Sequence, residues 1–144
     1  MDKTIRVLLA DDHAIVRRRI HTVLDASDAV RIVGEARDGQ EAVTLAERLQ
    51  PDVIIMDISM PVLDGFEAAK IIKNKLKSVR ILFLTMHDSA LLARQALRAG
   101  AEGYVLKRQA QGELLTALQK ISTGNIYLSP ALKVDLAGDE PPNH

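Results

Sequence analysis

Five short apolar runs punctuate the chain: Val7-Leu8-Leu9-Ala10, Ile32-Val33, Val53-Ile54-Ile55-Met56, Ile81-Leu82-Phe83-Leu84 and Tyr104-Val105-Leu106. The clearest of them are continuous rather than alternating. That is the pattern of strands covered on both faces in a parallel sheet. Between the runs, apolar residues recur in steps of three and four. Ala42, Leu45, Ala46 and Leu49 form one stripe, Phe66, Ala69 and Ile72 a second, and Leu114, Leu115, Leu118 and Ile121 a third. Such steps put side chains on one side of a helix. Asp38-x-x-Glu41 and Asp64-x-x-Glu67 read as capping boxes that start two of these helices. Gly100 and Gly124 stand where helices would stop, and Pro51 blocks continuation of the second. The predicted order is βα five times, and right-handed crossovers then place helices on both faces of one parallel sheet.

Past Gly124 the periodicity fades. Residues 125–130 predict a short extended piece, 131–136 a helical start, and 138–144 a frayed end. The folded domain is therefore expected to occupy 1–124, with 125–144 a linker or tail.

Composition narrows the function classes. The chain has 144 residues, 19 basic and 19 acidic, so a strongly basic nucleic-acid binder is disfavoured. Cysteine is absent, which removes disulfides, thiolate metal sites and thiol nucleophiles. No apolar run approaches the ~18 residues of a membrane span, and Met1-Asp2-Lys3-Thr4 does not begin a secretory signal. A cytoplasmic location and no membrane partner are the expectation.

The chemistry is sought where open α/β sheets carry it, beyond the carboxyl ends of the strands. Asp11-Asp12 follow the first strand, Asp57 follows the third, Thr85 ends the fourth and Lys107 ends the fifth. If strands one and three are neighbours, about 4.8 Å apart, three carboxylates crowd one small site. Lys107 supplies one positive charge and a hard divalent cation two, which balances three negative charges. Oxygen ligands of this kind suit Mg²⁺. A carboxylate in such a site can attack a phosphoryl group, giving an aspartyl phosphate.

The segments Leu9-Ala10-Asp11-Asp12-His13, Met56-Asp57-Ile58-Ser59-Met60-Pro61-Val62-Leu63-Asp64-Gly65, Leu84-Thr85-Met86-His87-Asp88 and Gly103-Tyr104-Val105-Leu106-Lys107 resemble the receiver domain of bacterial two-component response regulators. The likeness runs from about Thr4 to Gly124. The Leu-Thr-Met-His-Asp wording, with Gly124-Asn125-Ile126-Tyr127-Leu128-Ser129-Pro130, is most similar to the NarL/FixJ (LuxR-type) subfamily. The resemblance implies a flavodoxin-like (βα)5 receiver fold, a doubly wound five-stranded parallel sheet in the order 2-1-3-4-5. It implies Asp57 as phosphoacceptor, with Thr85 and Lys107 assisting. Asp12, Asp57 and the backbone carbonyl of Ser59 would hold Mg²⁺, and Asp11 its waters. Thr85 and Tyr104 would form the switch, and Ser59, Met86 and His87 would tune the site. The implied partners are a sensor histidine kinase, a second copy of the chain after phosphorylation, and DNA only through a helix-turn-helix domain that does not follow residue 130 in this sequence.

Two departures stand out. Arg108 follows Lys107 where many receivers have a cis proline, and a non-proline cis bond costs about 3 kcal/mol. Met86 is bulkier than the small residue common beside the switch threonine and is expected to hinder access or movement. Two other readings fit the residues less well. An aspartyl-phosphate phosphatase would carry a second Asp where Asp57-Ile58-Ser59 has serine, and a flavodoxin-like cofactor binder would not put Asp11-Asp12 in its phosphate loop. His13 and His21 are expected to be solvated, as is the Arg17-Arg18-Arg19 face unless it docks a partner. Lys70, Lys73, Lys75 and Lys77 are expected to form an exposed stripe.

Overall fold

Strand β1 (Ile5–Ala10) leads into α1 (Ala14–Leu24), and the alternation continues through β2 (Val30–Ala36), α2 (Gly39–Leu49), β3 (Val53–Met56) and α3 (Gly65–Lys75). It closes with β4 (Arg80–Thr85), α4 (Ala90–Arg98), β5 (Gly103–Leu106), α5 (Ala110–Ser122) and a short β6 (Tyr127–Leu128). This computed structural model describes residues 4–132. The strands are all parallel, in the order β2-β1-β3-β4-β5-β6.

The first five strands keep the expected order, but the sheet has six strands rather than five. Gly124, at φ +94°, reverses the chain after α5, and Tyr127 then pairs with Gly103. Two paired residues are too few to leave a periodic signal in sequence. The boundary expected at Gly124 is accordingly not where the packed structure ends. It continues through Pro130–Leu132, where Leu132 is buried. The expected helical start beyond Leu132 and the tail at 138–144 lie outside the described residues.

Alternation along the strands sorts the core into two layers. Leu8, Ile54, Met56, Ile81, Phe83, Tyr104 and Leu106 face α2, α3 and α4. Val7, Leu9, Val53, Ile55, Leu82, Leu84 and Val105 face α1 and α5. Both layers are apolar because no strand between β1 and β5 has a solvent side, which is why the runs read as continuous.

The caps follow the sequence with one change. Asp64 and Glu67 form a reciprocal box, Glu67 N–H donating to Asp64 Oδ1 at 2.9 Å and Asp64 N–H to Glu67 Oε1 at 3.3 Å. Asp38 accepts from Glu41 N–H at 2.7 Å, but the Glu41 carboxylate accepts from the Arg37 amide rather than from Asp38. Lys73, expected on the exposed stripe, instead ties α3 to the β5 side. It donates to the Val79 carbonyl at 2.8 Å and pairs with Glu102.

Among the described residues two non-glycine positions take positive φ, Gln50 at the end of α2 and Val62, and the β-branched Val62 is the more strained. Val62 has φ +72° and sits in a three-residue turn, with Leu63 N–H donating to the Pro61 carbonyl at 2.7 Å. A β-branched residue in the left-handed region is a steric outlier. Its side chain is 78% exposed, so it gains little packing in return. Val62→Gly is expected to raise stability by about 1 kcal/mol, the lower end of what such an outlier costs. Chemical denaturation should show a higher midpoint at unchanged slope. A lower midpoint would mean that the turn is not strained.

Candidate functional site

The strand register determines which polar residues meet. Ala10 pairs with Met56 across β1 and β3, so the residues that follow, Asp11 and Asp57, leave the sheet side by side. Asp57 N–H donates to the Ala10 carbonyl at 3.0 Å and Asp11 N–H to the Ala36 carbonyl at 3.0 Å, so sheet-like bonding continues past the strand ends. By strand parity Asp11 continues the Val7 and Leu9 column, Asp57 the Val53 and Ile55 column, and Lys107 the Val105 column. All three columns face α1 and α5, and the three side chains converge.

Lys107 Nζ lies 2.9 Å from Asp11 Oδ2 and 3.0 Å from Asp57 Oδ2. Asp11 is 2% exposed and Asp57 5%. Carboxylates buried that far persist as charges only when paired and hydrogen-bonded. The other oxygens are also engaged. Asp57 Oδ1 accepts from Ile58 N–H at 2.8 Å, and Asp11 Oδ1 from His13 N–H at 2.8 Å. Burial alone would lower the Lys107 pKa, but its bonds to Asp11 and Asp57 outweigh burial and hold it above the ordinary lysine value. Asp12, on the next parity, is more open to solvent, and a ligand atom from each of Asp11, Asp12, His13 and Asp57 lies within 4.8 Å of the others. With three carboxylates and one ammonium, the pocket is left with two uncompensated negative charges. An oxygen-rich donor set of that charge fits a hard divalent cation such as Mg²⁺.

Thr85 and Tyr104 share the opposite layer and meet through a third residue. Thr85 Oγ1 accepts from His87 N–H at 3.2 Å, and the Tyr104 hydroxyl donates to the His87 carbonyl at 2.7 Å. The Tyr104 ring is fully buried. Burial, then the charges of Asp88 and Asp57, push the phenol up to about 12. The His87 ring in turn sits 3.0 Å from Ser59 Oγ, two residues past Asp57. One loop residue therefore joins Thr85, Tyr104 and the Asp57 loop. Met86, expected to crowd the switch, is 78% exposed and borders a groove of about 970 Å³ between α1 and α5, lined in part by Val16, Ile20, Val23 and Leu115. The Lys107–Arg108 peptide, like every peptide bond among the described residues, is trans.

Some neighbours of the site were not legible in sequence. The His13 side chain is 64% exposed, yet Nδ1 stands 3.2 Å from Asp11 Oδ1 and 3.1 Å from Asp12 Oδ1. Arg17 donates to the Asp11 carbonyl at 2.7 Å and to Glu35 at 2.8 Å, so it braces the loop rather than lying on a solvated face with Arg18 and Arg19. His21 is paired with Glu35 rather than solvated. Burial raises the Glu35 pKa, but the bonds from His21 and Arg17 outweigh it and the carboxyl is held below its ordinary value. No spacing rule links Arg17 to residues six and eighteen positions away.

The sequence matches the family described as "Response regulator receiver domain" over residues 7–119. It is 38% identical over 136 residues to the transcriptional regulatory protein LnrK of Bacillus subtilis, covering 94% of this chain and 61% of that one. The chain spans about 55 to 63% of the length of the curated relatives it matches. The structure of a LuxR-family two-component response regulator from Aurantimonas superposes with a TM-score of 0.86 at 36% identity, covering 90% of this chain and 93% of that one. The isolated receiver of RcsB from Salmonella enterica, determined with the phosphomimetic BeF3⁻, superposes with a TM-score of 0.83 at 32% identity, covering 90% and 96%.

Proposed function

Because this chain belongs to the response regulator receiver family, we propose that it takes a phosphoryl group from a phosphohistidine of a sensor histidine kinase onto Asp57 and turns that event into a changed protein surface. The observation that carries the reading is Lys107 Nζ held between Asp11 and Asp57, both buried. An Asp57 carboxylate oxygen forms the new bond to phosphorus as the phosphorus–nitrogen bond to histidine breaks, and the leaving imidazole keeps the electron pair. Lys107 stabilises the charge spread over the phosphoryl oxygens. Asp12, Asp57 and the Ser59 carbonyl would hold Mg²⁺, with Asp11 binding its waters. The bound ion would supply further positive charge to those oxygens.

Receiver domains are signalling phosphoacceptors, so a single modification and its loss make up the reaction. Water later cleaves the acyl phosphate, and the Ser59–His87 pair, with Met86 at the rim, would set how long it lasts. The added charge of up to about two units draws Thr85 Oγ1 toward the phosphoryl group, away from His87 N–H. His87 is also the acceptor for Tyr104, so the loop and the buried ring must rearrange together. The output would be a second copy of the chain and, through a LuxR-type helix-turn-helix outside this sequence, DNA and transcription in the cytoplasm. Among the described residues no helix is long and apolar enough to cross a membrane.

The test uses Mg²⁺ with beryllofluoride, a phosphoryl mimic. The protein is expected to bind the mimic and to shift toward a dimer in sedimentation velocity. Thr85→Ala is expected to bind it with affinity within about threefold, since only one hydroxyl bond is lost, yet to remain in its starting oligomeric state. A Thr85→Ala protein that dimerises like wild type would remove Thr85 from the switch.

A further inference from the structure

We propose that Ser129 is a positioning residue for Lys107 and Tyr104, and that the segment Tyr127–Leu132 carries the state of Asp57 to the chain that follows. The inference rests on the reading of Asp57 as phosphoacceptor. Ser129 is 1% exposed, unusual for a serine beyond the last helix. Each of its polar groups is committed. Its N–H donates to the Tyr104 carbonyl at 2.9 Å, its Oγ accepts from Leu106 N–H at 3.1 Å, and its hydroxyl donates to Glu113 Oε1 at 2.8 Å. The same Glu113 oxygen accepts from the Tyr127 hydroxyl at 3.1 Å.

The placement has a mechanical meaning. β6 pairs with β5 only at Gly103 and Tyr104. Beyond that the Leu106 amide has no ladder partner on its outer side, and the Ser129 hydroxyl stands in for the missing strand. Ser129 thus grips the backbone on both sides of Val105, one residue before Lys107 and at the residue whose ring is the buried half of the switch. Leu128 and Leu132 pack into the layer that holds Tyr104 and Leu106, so the segment cannot slide independently of β5. When Lys107 follows a phosphoryl group, Leu106 and its hydrogen bond to Ser129 are held more firmly. By reciprocity, whatever anchors Ser129 also biases Lys107 toward its loaded position.

Hydrogen–deuterium exchange on the whole chain, with Mg²⁺ and with or without beryllofluoride, tests this. Exchange in peptides covering 127–132 is expected to slow by about fivefold or more on loading, the lower range of coupling between sites. Protection gained around residues 57–59 and 85–87 with unchanged or faster exchange at 127–132 would overturn the inference while leaving the Asp57 reading intact. No change in either region would take both down. In a second arm, Ser129→Ala is expected to weaken beryllofluoride binding by about fivefold in fluorine NMR, with Mg²⁺ affinity unchanged. Glu113→Gln, which keeps an oxygen for the Ser129 hydroxyl, should bind the mimic like wild type. Equal affinity in all three proteins would refute the positioning role, and if Ser129→Ala does not fold, the exchange result on the unaltered chain decides.

Discussion

Asp57→Asn is expected to abolish phosphoryl incorporation from acetyl phosphate, with no adduct detectable by intact-mass spectrometry. An amide nitrogen or oxygen is a poor nucleophile beside a carboxylate, and no neighbouring group can restore the lost charge. The fold should survive. The amide oxygen can still accept from Ile58 N–H, and Lys107 keeps Asp11 at 2.9 Å. One buried negative charge is removed from a cluster in which carboxylates outnumber cations, so the change in stability should stay within about 1 kcal/mol, the scale of one hydrogen bond. A melt close to wild type combined with no adduct would place the loss in the chemistry. A mass adduct on the Asp57→Asn protein would instead move the acceptor to Asp11 or Asp12.

Gly65→Ala is expected to damage both fold and site. Gly65 is the first residue of α3, and its N–H donates to the Ile58 carbonyl at 2.7 Å. A Cβ there would lie 2.3 Å from the Asp57 carbonyl oxygen, 2.8 Å from Ile58 Cα and 3.0 Å from the Phe83 ring. Two of those three atoms are backbone and cannot swing aside, so α3 must retreat from the loop that carries Asp57. The cost should be about 3 kcal/mol, the upper end of ordinary overpacking, and the melting temperature should fall by roughly 10 °C for a chain of this size. Phosphorylation by acetyl phosphate should slow by about a hundredfold, since a misplacement near 1 Å is worth that much. Gly112, inside α5, is the control, because an added Cβ there meets nothing within 4 Å. Gly112→Ala should gain roughly 0.5–1 kcal/mol from helix propensity. Equal effects at the two glycines would disprove the close approach of α3 to the loop that carries Asp57.

The two glycines show where sequence reading ran out. Gly65 closes one of the segments that carry the family resemblance and Gly112 does not, but the physical reason for a glycine there is visible only in the distance from Gly65 to the Asp57 carbonyl. The strands and helices were legible because burial on both faces leaves a short-range pattern of apolar steps. Glu41 carries the capping-box spacing as well as Glu67 does, yet its carboxylate turns to Arg37, because the turn entering α2 offers that amide instead. The extended stretch expected over 125–130 is present as β6, but its pairing with β5 escaped, because two paired residues make no period. His21 escaped because its partner, Glu35, comes from another element.

The order of residues by itself determined which side chains leave the carboxyl end of each strand, Asp11, Asp57, Thr85 and Lys107, and hence the chemistry gathered at one rim. Strand parity even separates the carboxylate–lysine column from the Thr85–Tyr104 layer. Only the tertiary structure decided that Lys107 spans Asp11 and Asp57, that His87 joins Thr85, Tyr104 and Ser59, and that Ser129 returns to hold β5. Apart from the short His87–Thr85 contact, these bring together residues 17 to 96 positions apart. Their geometry is set by strand order, register and helix packing acting together, and no local repeat in a sequence encodes a distance across the sheet.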